Sequence, residues 1–134
     1  MTEFVQLTEK KTNKGGTNAL CGPKSSNICV IVFTEEASEK EQLASLQPAI
    51  LNFLQDPVSF TYIRRTDEPY IFSSVFEGNS AVLYKPKRNK FMSLPASSAE
   101  ELKSTISDAL GGGGSWSKSK ELQWGQQAAV NDEL

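Results

Sequence analysis

The run ICVIVF, residues 28–33, holds six consecutive apolar residues, most of them β-branched, with no polar residue alternating between them. A strand with one face in water alternates polar and apolar side chains, whereas a strand covered on both faces does not need to. The run therefore predicts the central strand of an α/β sheet, and the other elements are read outward from it.

Downstream, Leu43, Leu46, Ile50, Phe53 and Leu54 recur at helical spacing from Ser38 onward. Ser38 with Glu41 three residues later forms a capping-box pattern. Pro48 lies inside this helix; it lacks a backbone N–H and crowds the preceding turn, so a kink is expected over 44–48. Asp56-Pro57 ends the helix, and Val58–Ile63 reads as a second strand, parallel to the first if the helix is a right-handed crossover. A short helix is expected around Tyr70, Ile71, Phe72, Val75 and Phe76, closed by Gly78-Asn79. Ala81–Tyr84 and Lys90–Leu94 flank the turn-forming Pro86-Lys87-Arg88-Asn89, which predicts an antiparallel hairpin. Ser98 and Glu101 give a second capping box, ahead of a last helix with Leu102, Ile106, Ala109 and Leu110 on one face and Gly111 at its end.

Upstream, Phe4–Leu7 reads as a short strand, and residues 10–27, with Gly15-Gly16 and Gly22-Pro23, read as loop. Four glycines open the stretch 111–134, which is expected to be flexible, with Trp116 and Trp124 either docking on a partner or folding back on the domain. This glycine run lacks the Gly-Lys-Ser/Thr ending of a phosphate loop and follows a helix.

The 134 residues, 38% of them hydrophobic, suit one domain. A formal net charge of −2, from 14 basic and 16 acidic residues, gives no electrostatic reason to expect nucleic acid as a partner. No apolar run approaches the ~20 residues needed to cross a bilayer, so membrane insertion is not expected. The sequence contains no histidine, which removes Ser-His and Cys-His nucleophile pairs and His-ligated zinc. No metal or cofactor is expected. Read as a complete chain, the protein is expected in the cytoplasm. The ending Asn131-Asp132-Glu133-Leu134 resembles endoplasmic-reticulum retrieval signals, which would suit a piece of a targeted protein.

The order strand, kinked helix, strand, short helix, hairpin, helix resembles the core of a thioredoxin-like domain, over about residues 28–110. Leu46-Gln47-Pro48-Ala49-Ile50-Leu51 is similar to the proline-kinked middle of that family's active-site helix. Thr61–Pro69 is similar to the strand and turn after it, and Ala81–Leu94 with 99–110 to its closing hairpin and helix. The resemblance implies an α/β, three-layer sandwich with a mixed central sheet, with residues 1–27 as an N-terminal strand and loop belonging to the domain.

The family's two active-site cysteines open the kinked helix, where the helix N-terminus favours a thiolate. By the family's spacing from Pro48 those positions hold Lys40 and Leu43, which cannot exchange disulfides. The Cys21-Gly22-Pro23 stretch looks like half of the dithiol motif but precedes the strand. The family's cis-proline, before the Ala81–Tyr84 strand, is replaced by Asn79 or Ser80. The resemblance thus implies a redox-inactive, non-enzymatic binding or scaffolding module. Such modules occur in J-domain co-chaperones and protein-disulfide-isomerase relatives, where a polypeptide partner meets the apolar surface near the kinked helix and the 78–81 loop.

Two other readings stay open. Cys21, expected exposed on its loop, would act as a redox sensor or enzyme thiol, alone or with Cys29; the two would otherwise form a structural bridge, with Cys29 packed as a small hydrophobe in its strand. Alternatively Trp116 and Trp124 carry the function on an interaction tail. The acidic run Glu35, Glu36, Glu39 and Glu41 reads as the solvated first turn of a helix, and Lys85, Lys87, Arg88 and Lys90 as a solvated hairpin tip.

Overall fold

In the computed structural model, which describes residues 2–12 and 20–126, the apolar run lies in the middle of a mixed sheet. The strands among the described residues are Val5–Gln6 (β1), Ile28–Thr34 (β2), Val58–Arg64 (β3), Ala81–Lys85 (β4), Lys90–Ser93 (β5) and Ser117–Lys118 (β6), in the spatial order β1-β3-β2-β4-β5-β6. β1, β3 and β2 are mutually parallel, with Ile28 beside Val58 and Thr34 beside Arg64. β4, β5 and β6 follow antiparallel.

The missing alternation in β2 now has its cause. Val30 and Val32 point into one apolar cluster, Cys29, Ile31 and Phe33 into the other, and all five are fully buried. The first cluster is covered by the helix Glu39–Leu46 (here α2, since Glu9–Thr12 forms a one-turn α1), by the 3₁₀ segment Gln47–Phe53 and by the helix Ala99–Leu110 (α3). The second lies under the Ile71–Val75 turn, the loop carrying Cys21 and the stretch holding Leu122 and Trp124. The architecture is α/β, with both faces of the sheet covered.

The proline acts by changing the helix type. α2 passes without a break into the 3₁₀ segment at Gln47, and Pro48 stands in its first turn, where a missing N–H costs least. The short helix expected around residue 72 is wound more loosely than an α-helix: Phe76 N–H donates to the Ile71 carbonyl, five residues back, at 3.1 Å. This extra residue per turn seats Ile71, Val75 and Phe76 together in the second cluster, where Phe76 meets Tyr84 and Phe91 edge to face.

Three expectations are corrected. Residues 10–12, expected as loop, lie in α1, and Thr12 is buried. The Ser38–Glu41 capping box does not form, because a 3₁₀ turn over Glu36–Ser38 precedes α2 and no side chain caps it. Of the two readings of the stretch after Gly111, folding back holds for its described residues: β6 pairs with β5, Trp116 packs on the first cluster and Trp124 on the second. Cys21, expected exposed, is 1% accessible. Ser98, by contrast, does cap α3, accepting from Glu101 N–H at 3.2 Å, while the Glu101 carboxylate accepts from the neighbouring Ser97 hydroxyl. Gly15-Gly16 and the Asn131–Leu134 ending lie outside the described residues.

Candidate functional site

The carboxyl ends of parallel strands are where α/β sheets place ligands, and here that rim is filled by the protein's own charges. Thr34 and Arg64 are the last residues of β2 and β3, side by side in register. Arg64 Nε and Nη2 donate to the two oxygens of Glu39 at 2.8 and 3.1 Å, and Thr34 Oγ1 donates to Glu39 Oε1 at 2.8 Å. Arg64 holds the Glu39 carboxyl below its ordinary pKa, with burial opposing and the Thr34 bond assisting. Glu39 is therefore a paired group and not part of a solvated turn, which corrects the reading of the acidic run. Next to it the Arg65 guanidinium lies over the Phe72 ring at 4.7 Å, donates to Ser80 Oγ at 3.3 Å and pairs with Glu35 at 3.7 Å.

The residues at the expected active-site positions divide. Lys40 is exposed on α2, whereas Leu43 is half-buried against the first cluster. Ser80 is tied to β2 by its carbonyl, which accepts from Phe33 N–H at 2.8 Å, and Asn79 Nδ2 donates to the Phe76 carbonyl at 2.8 Å. Both line a shallow groove with Gln42 and Leu94. The structure thus brings Asn79 and Ser80 close to α2.

The two cysteines lie elsewhere. Cys21 and Cys29 form a disulfide, their Cα atoms 5.8 Å apart, at the opposite end of β2 from Thr34. Five residues of strand put roughly 16 Å between that bridge and the rim where α2 starts. Cys29 is fully buried, and Cys21, also buried, forms part of the wall of a cleft of about 330 Å³ with Glu9, Tyr84, Glu121 and Trp124. Among the described residues no lysine or arginine lines that cleft, and the bridge leaves neither cysteine as a free thiol. Burial pushes the Tyr84 phenol up to about 12.

Trp116 and Trp124 both fold back, on opposite faces of the sheet. Lys85 Nζ stands 4.0 Å over the Trp116 ring, so the hairpin tip is not wholly solvated. The feature that spacing alone did not single out is a pair of apolar side chains left outside: Leu51 and Leu54, on and just after the 3₁₀ segment, are 61% and 50% exposed. The place of Leu54 in the helical pattern suggested core, and Leu51 lay outside that pattern; both stand outward after the tighter winding that follows Pro48. Among the described residues no group of three or more acidic or cysteine side chains is placed to hold a metal, and no helix is long and apolar enough to cross a membrane.

No protein-family model, curated protein or solved structure matches the chain.

Proposed function

We propose that the chain is a thioredoxin-like domain without dithiol chemistry that serves as a binding or scaffolding module for polypeptide, as part of a larger chaperone-type or secretory-pathway protein. The fold reading is supported by the strand order, with three parallel strands followed by an antiparallel hairpin. It is supported too by the packing of α2 and α3 on one face of the sheet and the Ile71–Val75 turn on the other. The step from fold to role is analogy. What favours binding over thiol catalysis is the absence of a thiol at Lys40 and Leu43 together with the burial of both cysteines.

The observation that carries the binding role is the exposure of Leu51 and Leu54 directly after the proline. Large apolar side chains shown to water beside a helix bend are suited to take up an unfolded segment.

The test uses reduced, carboxymethylated α-lactalbumin, which is permanently unfolded and has no thiol, followed by fluorescence anisotropy. Saturable binding is expected, weakened about tenfold in the Leu51→Ser/Leu54→Ser double variant, as for a loss of roughly 1.4 kcal/mol of apolar contact. Absence of binding, or equal binding by the variant at an unchanged thermal melt, overturns the role. Turnover of insulin disulfides in a glutathione-coupled assay would overturn the non-catalytic reading.

A further inference from the structure

The two tryptophans that fold back differ in what surrounds them. Trp116 already carries a cation, the Lys85 ammonium, over its ring. Among the described residues no cation stands over Trp124, and the charged groups around it are mostly carboxylates. On one flank is the 330 Å³ cleft, to which, among the described residues, Glu9 and Glu121 contribute and no basic residue does. On the other is a hollow of about 100 Å³ that shares Glu9 and Trp124 and adds Asp67 and Glu68. Its one base among the described residues, Arg64, is engaged with Glu39.

The tryptophan is held in place. Its ring packs on the second cluster, and the next residue, Gly125, donates its N–H to Glu68 Oε1 at 2.8 Å. Thr12, 4% accessible, forms part of the cleft wall, and its hydroxyl has no hydrogen-bond partner among the described residues. Lys10 and Lys120 flank Glu9 and Glu121 in the chain without lining the cleft.

We propose that the cleft at Trp124 binds an organic cation, an alkylammonium or guanidinium group, seated against the indole and neutralised by Glu9 and Glu121. An indole face with carboxylates at its edge attracts such a group and repels anions. A volume near 300 Å³ suits a small ligand or one long basic side chain. This site lies across the sheet from Leu51 and Leu54 and stands independently of any role for them.

The experiment follows the indole N–H resonance of Trp124 by nuclear magnetic resonance, identified by its loss in Trp124→Phe. The protein is titrated with N-acetyl-arginine N-methylamide and with its neutral isostere, N-acetyl-citrulline N-methylamide. The arginine compound is expected to give a saturable shift, the citrulline compound none, and the Glu9→Gln/Glu121→Gln double variant an affinity about tenfold lower. Both glutamates are exposed, so the variant is expected to keep the wild-type melt.

Butylammonium and the peptide acetyl-Gly-Arg-Lys-Gly-amide separate the two sources of the cation. Peptide binding at least about tenfold tighter than butylammonium assigns the cleft to a basic segment of a polypeptide, and equal affinity assigns it to a small free amine. An unsaturable shift, equal response to arginine and citrulline compounds, or an undiminished response in the double variant overturns the proposal.

Discussion

Arg64, the last residue of β3, grips Glu39, the first residue of α2, through two parallel hydrogen bonds across 25 residues of chain. The fork geometry fixes the angle at which the helix leaves the sheet. Because the folded carboxyl is held below its ordinary pKa by Arg64, its contribution to stability is complete above the unfolded value. It is lost as pH falls through the lowered folded value. Glu39→Gln should therefore be less stable than the parent at neutral pH in urea denaturation. The gap should close as pH falls through that lowered value, below which both side chains are neutral. A gap that is constant with pH would show that the ion pair has no part in it.

The bridge between Cys21 and Cys29 spans a sequence separation of 8. Closing so short a loop removes about 2.5 kcal/mol of chain entropy from the unfolded state. The Cys21→Ala/Cys29→Ala variant is expected to lose about that much in urea denaturation and to keep the far-ultraviolet spectrum of the parent. Alkylation of the native protein without reductant should label neither residue.

Ser98 and Ser38 are a matched pair of sequence patterns with different structural outcomes. Ser98→Ala removes the bond to Glu101 N–H and should cost about 1 kcal/mol. Ser38→Ala removes no cap bond and should change stability by less than about 0.5 kcal/mol. Equal losses at both serines would contradict the difference between the two helix starts.

Gly114 turns the chain back toward the sheet at φ +96°, and a Cβ there would lie 2.7 Å from Met92 Sδ. Gly114→Ala is expected to cost about 1–2 kcal/mol through the backbone alone. It should also shift the emission of Trp116, whose Nε1 donates to the Gly113 carbonyl at 3.3 Å. An unshifted spectrum would mean that Trp116 is not held by this turn.

Much of the sheet was legible because its signals are local. The unbroken run in β2, the turn residues at 86–89 and the Ser98 cap each lie within a few residues of the element they specify. The expected helix bend at Pro48 corresponds to a change of winding. What escaped is decided by partners far along the chain. Glu39 and Arg64 are unremarkable surface types until β3 brings them together, and the burial of Cys21 depends on Leu122 and Trp124 folding over the same cluster. Glycine-rich composition at 111–114 indicated freedom, but it supplied the positive φ angles at Gly112 and Gly114 that let the chain turn back.

Both rims of the sheet are formed by strands of two residues, β1 and β6. At the β6 rim Lys118 sits directly opposite Lys90. A further strand arriving there would find little backbone to pair with and a second positive charge to set beside the first. Short rims and edge lysines are how sheets avoid growing into fibrils. In this chain the last strand to join thus shields the hairpin behind it from self-templated assembly.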